Sequence, residues 1–114
     1  MGIMLLILWT TPTEEEAMTL LQGLLERHWI ACGTMLPGAR SLYVWQGKIE
    51  KAQEVQCLLK THIGYQERIL DYLRQHGSYA NPEFLCFTSD WGSHAYEAWA
   101  AEHLALGVSA EADE

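Results

Sequence analysis

The sequence predicts an α+β domain whose elements follow the order strand, helix, strand, strand, helix, strand, with one more helix at the end. Two segments repeat apolar residues at helical spacing. Residues 3–10 and 83–88 are apolar at both odd and even positions, which is typical of strands covered on both faces. Residues 41–61 are rich, on both sides of Gly47, in side chains that suit a pleated surface, which predicts a long hairpin.

The first strand is predicted over residues 3–10, and a helix follows it. Thr11 is expected to cap this helix, with Pro12 in the first turn and Glu14 completing a capping box. The apolar side chains of the helix fall on one face at helical spacing, namely Ala17, Leu20, Leu21, Leu24 and Leu25. We therefore expect an amphipathic helix here.

The second and third strands form the predicted hairpin. The second strand starts at Trp29 or Ile30, is interrupted at residues 37–38, and resumes over residues 40–46. Since proline cannot donate to a strand ladder, a bulge or bend at a sheet edge is expected at this interruption. The third strand covers residues 49–62. A hairpin this long exceeds what a small domain needs for its own core, so it indicates pairing with other copies of the chain.

The second half of the chain repeats the pattern. The second helix carries a stripe at helical spacing, consisting of Tyr65, Ile69, Tyr72, Leu73 and His76. Residues 77–82 are expected to form a loop before the fourth strand, and Ser93 is expected to cap the last helix. We expect one domain over residues 1–106 and a flexible acidic tail over residues 107–114.

This element order is that of the ferredoxin-like, or split βαβ, arrangement with an extended hairpin between its second and third strands. Right-handed crossovers place both main helices on one face of the four-stranded sheet. Because the strands are apolar on both faces, the other face would expose a large apolar patch, which soluble monomers rarely do. Packing against further subunits is therefore expected, and symmetric closure is its default form.

Composition excludes several classes of partner. With 114 residues and a formal net charge of −8, the chain lacks the clustered Lys and Arg that nucleic acids and anionic membranes require. Cys32, Cys57 and Cys86 each lie in an apolar run and are expected to be buried free thiols, which suits a reducing compartment. The apolar start is too short to span a bilayer and lacks a basic leader, so a cytoplasmic location is expected.

A set of short motifs occurs in a characteristic order and spacing: Ala31-Cys32, Pro37-Gly38, Ser41, Tyr43, Trp45, Gly47-Lys48, Glu54, Lys60-Thr61, Pro82-Glu83, Tyr96 and Trp99. In this combination the chain resembles the CutA divalent-cation tolerance proteins over about residues 3–104. The resemblance implies a cytosolic homotrimer of ferredoxin-like subunits, similar in architecture to the PII signalling proteins. It also implies a role in tolerance of copper and other divalent metals.

The resemblance further implies two metal ligands. In copper-binding members, a His near the end of the second helix and a Glu opening the fourth strand are associated with the metal, and these match His76 and Glu83. The family's Cys at the end of the first strand has no match, because Trp9 stands there. Imidazole and carboxylate suit Cu(II), but two ligands from one chain require water or an intersubunit site. His76 as an interface residue and Glu83 as a hydrogen-bond acceptor are the alternatives.

Other functions rest on weaker patterns. Arg40, Lys48 and Lys51 lie near the hairpin tip beside glycines, where they can hold an anion, although the chain has no phosphate-loop motif. A PII-like module that binds a small anion or nucleotide in the intersubunit cleft is therefore an alternative, as is a structural trimer that anchors a partner protein. No set of nucleophile, base and orienting residue is recognisable, so we expect no enzymatic activity, no catalytic residues and no cofactor besides the divalent cation.

Overall fold

The computed structural model of the protein describes residues 3–105. Its four strands are β1 (Met4–Thr11), β2 (Cys32–Trp45), β3 (Lys48–His62) and β4 (Phe84–Thr88). Its three α-helices are α1 (Glu14–Glu26), α2 (Gln66–His76) and α3 (His94–Ala105), and a single 3-10 turn (Ile63–Tyr65) precedes α2. The predicted fold class and element order are confirmed, while the predicted acidic tail lies outside the described residues.

The strands form one antiparallel sheet in the order β2-β3-β1-β4. Side chains of alternate residues in β1 and β3 enter a core shared with α1 and α2: Leu5, Ile7, Trp9, Val55, Cys57 and Leu59. We call this side the helix-covered face. The residues between them, such as Leu6, Leu8 and Leu58, point to the opposite side, which we call the open face.

Helix α1 begins two residues later than the sequence predicted. The N-cap is Thr13, whose side-chain oxygen accepts a hydrogen bond of 3.1 Å from the backbone N–H of Glu16. Thr11, the predicted cap, is instead the last residue of β1. The predicted apolar face is buried at Ala17, Leu20, Leu21 and Leu24, but Leu25 is exposed. At about 100° of rotation per residue, Leu25 lies further from the centre of the buried face than Leu21 does, at the edge of that face.

The β2–β3 hairpin is long and projects beyond the core. Gln46 and Gly47 form its turn with φ angles of 52° and 80°, as a two-residue hairpin with a primed turn requires. The predicted bulge is present as a register shift between Leu36 and Ala39, with Gly38 at a φ of 77°. Strand β2 begins at Cys32, later than predicted, and runs through the bulge without a break. Beyond the bulge the apolar side chains are exposed, and Trp45 retains 62% of its accessible surface.

The open face carries an apolar surface that the described part of the chain covers only at one end. Tyr96 and Glu97 of α3 line a recess there together with Met4, Leu6 and Lys60. Leu36, Leu85 and Phe87, in contrast, are exposed. A surface of this kind is rare in soluble monomers. Among residues 3–105, no helix is long and apolar enough to cross a membrane.

The three cysteines are free thiols in three different environments. Cys57 is buried, as predicted, and burial raises the pKa of its thiol to about 11. Cys32 is half-buried and Cys86 is exposed, so the prediction that all three are buried is wrong for these two. The reason is that β4 is an edge strand, and the helices do not reach over Cys86 as they do over the central strands.

Candidate functional site

A groove of about 990 Å³ lies between the β2–β3 hairpin and the segment that leads into β4. Three carboxylates and three aromatic rings are among its lining residues, which include Thr10, Tyr43, Trp45, Glu50, Glu54, Gln56, Tyr79 and Glu83. Thr10 pairs with Gln56 on the open face, so the groove occupies that side of the sheet. The site is therefore built where the projecting hairpin meets the end of β1.

Glu83 lies at the mouth of this groove, immediately before β4. The hydroxyl of Thr10 donates a hydrogen bond to Oε1 of Glu83. Because Thr10 is in β1 and Glu83 precedes β4, this bond fixes the carboxylate at the end of the central strand. Glu83 is an exposed residue and lines the groove. A fixed, exposed carboxylate of this kind suits a hard or borderline cation.

Tyr79 and Glu54 form a second polar contact in the groove. The Tyr79 hydroxyl donates a hydrogen bond of 2.8 Å to Oε2 of Glu54. Burial raises the pKa of Tyr79, and the neighbouring Glu54 carboxylate raises it further, to about 12. Tyr79 is thus a neutral hydrogen-bond donor at physiological pH, and it holds Glu54 in one orientation.

The loop before β4 is anchored to the helical layer by Glu16. Ser78 donates two hydrogen bonds to this carboxylate, from its backbone N–H (2.9 Å) and from its hydroxyl (2.8 Å), and Thr11 donates a third (2.9 Å). Burial by itself raises the pKa of Glu16, but the three hydrogen bonds outweigh it and lower the pKa below its usual value. Glu16 therefore positions the segment that carries Tyr79 and Glu83.

His76 is the last residue of α2 and lies in the helical layer. Its ring packs on Tyr72 with the ring centroids 4.4 Å apart. The Glu83 carboxylate, in contrast, accepts a hydrogen bond from Thr10 in the groove, so the two predicted ligands have separate environments within one chain. Among residues 3–105, no three His, Cys, Asp or Glu side chains form a group that could hold a metal ion.

Trp9 occupies the position that the sequence comparison associated with a metal-binding Cys. Its side chain is on the helix-covered face and is only 2% exposed. It pairs with Cys57 on one side and with Phe84 on the other. Because its neighbour Thr10 faces the groove, Trp9 points away from the groove and contributes to the core.

The basic residues of the hairpin divide between two places. Arg40 and Lys51 line a recess of about 450 Å³ together with Leu42 and Gln53. Lys48 pairs with Trp45 next to the turn and is outside this recess. The three predicted basic residues therefore do not form one cluster.

Sequence analysis missed the contribution of Thr10, Gln56 and Tyr79 to the groove. The sequence pattern predicts only that Thr10 ends an apolar strand and that Tyr79 lies in a loop. Their proximity to Glu54 and Glu83 depends on the pairing of β1 with both β3 and β4. The Pro82-Glu83 dipeptide at a strand start was the only local signal for this edge of the groove.

Comparison with known proteins identifies the family. The family model described as CutA1 divalent ion tolerance protein matches residues 5–103. The chain belongs to this family. A curated CutA1 relative, the divalent-cation tolerance protein CutA of Pectobacterium atrosepticum, is 43% identical over 93 residues, which are 82% of this chain and 84% of that protein.

Solved structures of CutA1-family proteins have the same fold. CutA of Xylella fastidiosa superposes with a TM-score of 0.86 at 34% identity, covering 89% of this chain and 97% of that one. A CutA described as periplasmic, from Archaeoglobus fulgidus, gives a TM-score of 0.85 at 29% identity, covering 89% and 98% of the two chains. Sequence and fold therefore both support membership of this chain in the CutA1 family.

Proposed function

We propose that this CutA1-family protein acts in tolerance of divalent metal ions as a non-enzymatic, cytosolic homotrimer that binds Cu(II) or a similar cation weakly at an intersubunit site. The proposed ligands are Glu83 and His76. The observation that carries the proposal is the exposed Glu83 carboxylate, fixed by Thr10 in a groove that Glu50 and Glu54 also line. The relatives are named divalent-cation tolerance proteins, which supports the same class of metal.

The chemistry of the two ligands favours a borderline cation. A carboxylate supplies an oxygen donor and an imidazole supplies a nitrogen donor, which together suit Cu(II) or Zn(II). Since no thiolate stands at position 9, the site has no soft donor there for Cu(I). His76 and Glu83 have separate environments in one chain, so we propose that neighbouring copies bring them together. A site with so few protein ligands binds weakly and completes its coordination with water.

The exposed apolar side chains of the open face and the hairpin support association between copies of the chain. Leu36, Leu85 and Phe87 are exposed on or beside the sheet, and Trp45 and Ile49 are exposed on the hairpin. Burial of these side chains between copies would stabilise the assembly by roughly 25 cal/mol for each Å² of apolar surface removed from water. The number three is proposed from the family resemblance. A cytosolic location is proposed because the three cysteines are free thiols.

Calorimetric titration with Cu(II) tests the metal site. We expect the affinity for Cu(II) to be at least tenfold lower in Glu83→Gln and in His76→Ala than in the wild type, since each substitution removes one ligand. His94→Ala and Glu102→Gln are matched controls, because both side chains are exposed on α3 outside the groove. Equal affinities in the wild type and the Glu83→Gln variant would remove Glu83 from the site. Electron paramagnetic resonance of bound Cu(II) reports separately whether nitrogen coordination is lost in His76→Ala.

A second candidate function is binding of a small anion or nucleotide, and the recess with Arg40 and Lys51 favours it. Two cations on one face of the hairpin attract a phosphate, as an intersubunit anion site would. A thermal-shift series with ATP, phosphate and Cu(II) distinguishes the two functions. Stabilisation by ATP that is lost in Arg40→Gln, without a response to Cu(II), would favour the anion site.

A further inference from the structure

Residues 77–83 join the two proposed cation ligands, His76 at the end of α2 and Glu83 before β4. We call residues 77–83 the ligand segment. Near its start, Ser78 donates two hydrogen bonds to the carboxylate of Glu16 in α1. One comes from the backbone N–H and is 2.9 Å long, and the other comes from the hydroxyl and is 2.8 Å long. The beginning of the ligand segment is thus held by the helical layer.

The last two residues of β1 hold both ends of the ligand segment. Thr11 donates a hydrogen bond of 2.9 Å to Oε2 of Glu16, the oxygen that also accepts the Ser78 N–H. Thr10 donates a hydrogen bond to Oε1 of Glu83. Because neighbouring side chains of a strand point to opposite faces, the two threonines reach the segment from both sides of the sheet. The place of the segment is therefore set by a central strand, through Glu16 at one end and directly at the other.

Gly77 leaves room for the Glu16 carboxylate. A Cβ atom at this position would lie 3.3 Å from Oε2 of Glu16 and 2.6 Å from the Leu73 carbonyl oxygen. Burial alone would raise the pKa of Glu16, but the hydrogen bonds from Ser78 and Thr11 lower that pKa below its usual value, so the carboxylate is charged at neutral pH. Hydrogen bonds to a charged acceptor are stronger than those between neutral groups. The contact between Glu16 and Ser78 is therefore both strong and closely fitted.

We propose that Glu16 is a positioning residue for the cation site: it holds the ligand segment so that Glu83 keeps one place in the groove. This role rests on the proposed function and extends it to a residue that does not touch the cation. Order in the free protein raises affinity, because a ligand that is already held loses less conformational entropy when the cation binds. His76 is positioned separately, since it is the last residue of α2 and its ring packs on Tyr72.

Amide exchange and ¹⁵N relaxation of the metal-free protein test whether Glu16 holds the segment. We expect Glu16→Ala to raise the exchange rate of the Ser78 amide roughly tenfold and to lower the order parameters over residues 79–83 from about 0.85 to below about 0.6. Glu16→Gln keeps an oxygen acceptor and should retain much of the order. Glu15→Ala is the matched control, because Glu15 is an exposed carboxylate in the same first turn of α1. An unchanged segment in Glu16→Ala, or an equal change in Glu15→Ala, would overturn the proposal.

Calorimetric titration with Cu(II) tests the consequence for the cation site. We expect Glu16→Ala to lower the affinity roughly threefold to tenfold and Glu15→Ala to leave it unchanged. In a Glu83→Gln background, Glu16→Ala should have no further effect on the affinity, since the carboxylate that Glu16 positions is then absent. A loss of folded protein would instead lower the number of binding sites in both backgrounds, so the two causes are distinguishable.

The two measurements also separate the role of Glu16 from the proposed function. If the wild type binds no Cu(II), the proposed function fails, whereas the relaxation data of the metal-free protein still decide whether Glu16 positions Glu83. If Glu83→Gln weakens Cu(II) binding and Glu16→Ala does not, the proposed function stands and the role of Glu16 is overturned.

Discussion

The hydroxyl of Tyr79 lies 2.8 Å from Oε2 of Glu54, and this hydrogen bond joins the loop before β4 to the middle of β3. The two residues are 25 positions apart in sequence. The bond closes one wall of the acidic groove and orients a carboxylate that lines it. The hydrogen bond between Thr10 and Glu83 joins the same segment to β1. The two bonds therefore tie the segment before β4 to β3 and to β1.

The first prediction concerns the ionisation of Tyr79. Burial and the Glu54 carboxylate raise the pKa of Tyr79 to about 12, so Glu54→Gln, which removes the charge, should lower that pKa toward the ordinary value near 10. The stabilisation linked to neutral Tyr79 is fully present below pH 10 and is lost as the pH rises toward 12. A titration of the tyrosine ring carbons by NMR measures this. Glu50→Gln, which removes another carboxylate of the groove, is the control. An unchanged Tyr79 pKa in Glu54→Gln would contradict the assignment.

The second prediction concerns Glu16 and acid stability. Hydrogen bonds from Ser78 and Thr11 lower the pKa of Glu16, so its stabilisation is present above its usual value of 4.5 and is lost as the pH falls through the folded value. We expect Glu16→Gln to reduce the free energy of unfolding by about 1 kcal/mol at pH 7, after allowance for solvent screening. Urea unfolding at pH 7 and pH 3 measures this, with Glu14→Gln as an exposed control. A loss of the same size at both pH values would show that the charge of Glu16 is unimportant.

The third prediction concerns the contact between α1 and α2. A Cβ atom at Gly23 would lie 2.1 Å from the Tyr72 hydroxyl oxygen, so Gly23→Ala should cost about 1–3 kcal/mol of stability by overpacking. Gly64→Ala is the control, since its Cβ would meet nothing within 4 Å. Adding Tyr72→Phe to Gly23→Ala removes the clashing oxygen and should recover part of the loss. Thermal or urea unfolding of the four proteins checks this, and equal stability of the two glycine variants would contradict it.

The fourth prediction concerns the proposed trimer. Trp45 is 62% exposed in the single chain, so Trp45→Asp should leave the fold of each chain intact and dissociate the assembly, because it places a charge in an apolar interface. Sedimentation velocity and circular dichroism measure the two effects separately. Trp91→Asp is the matched control, since Trp91 is 84% exposed and lies outside the hairpin and the groove. A Trp45→Asp protein with the wild-type sedimentation coefficient would exclude Trp45 from the interface.

The sequence pattern predicted correctly those features that depend on only a few neighbouring residues. The turn at Gly47, the bulge after Leu36 and the cap at Ser93 all depend on the conformational limits of single residues, and all are present. The start of α1 was predicted too early, because Thr11 and Thr13 are both able to cap a helix. The choice of Thr13 leaves Thr11 in β1, where its hydroxyl bonds to Glu16. Local rules could not distinguish these two threonines.

The sequence by itself determined the α+β class, the two-faced strands and the surplus apolar surface, because periodicity and side-chain type are local properties of the chain. Only the tertiary structure decided which polar residues meet. The register of β1 against β3 and β4 places Thr10 on the open face and Trp9 in the core. A shift of one residue would exchange them, since neighbouring side chains of a strand point to opposite faces. The groove that joins Glu54, Tyr79 and Glu83 exists because that register is fixed by burial of the core.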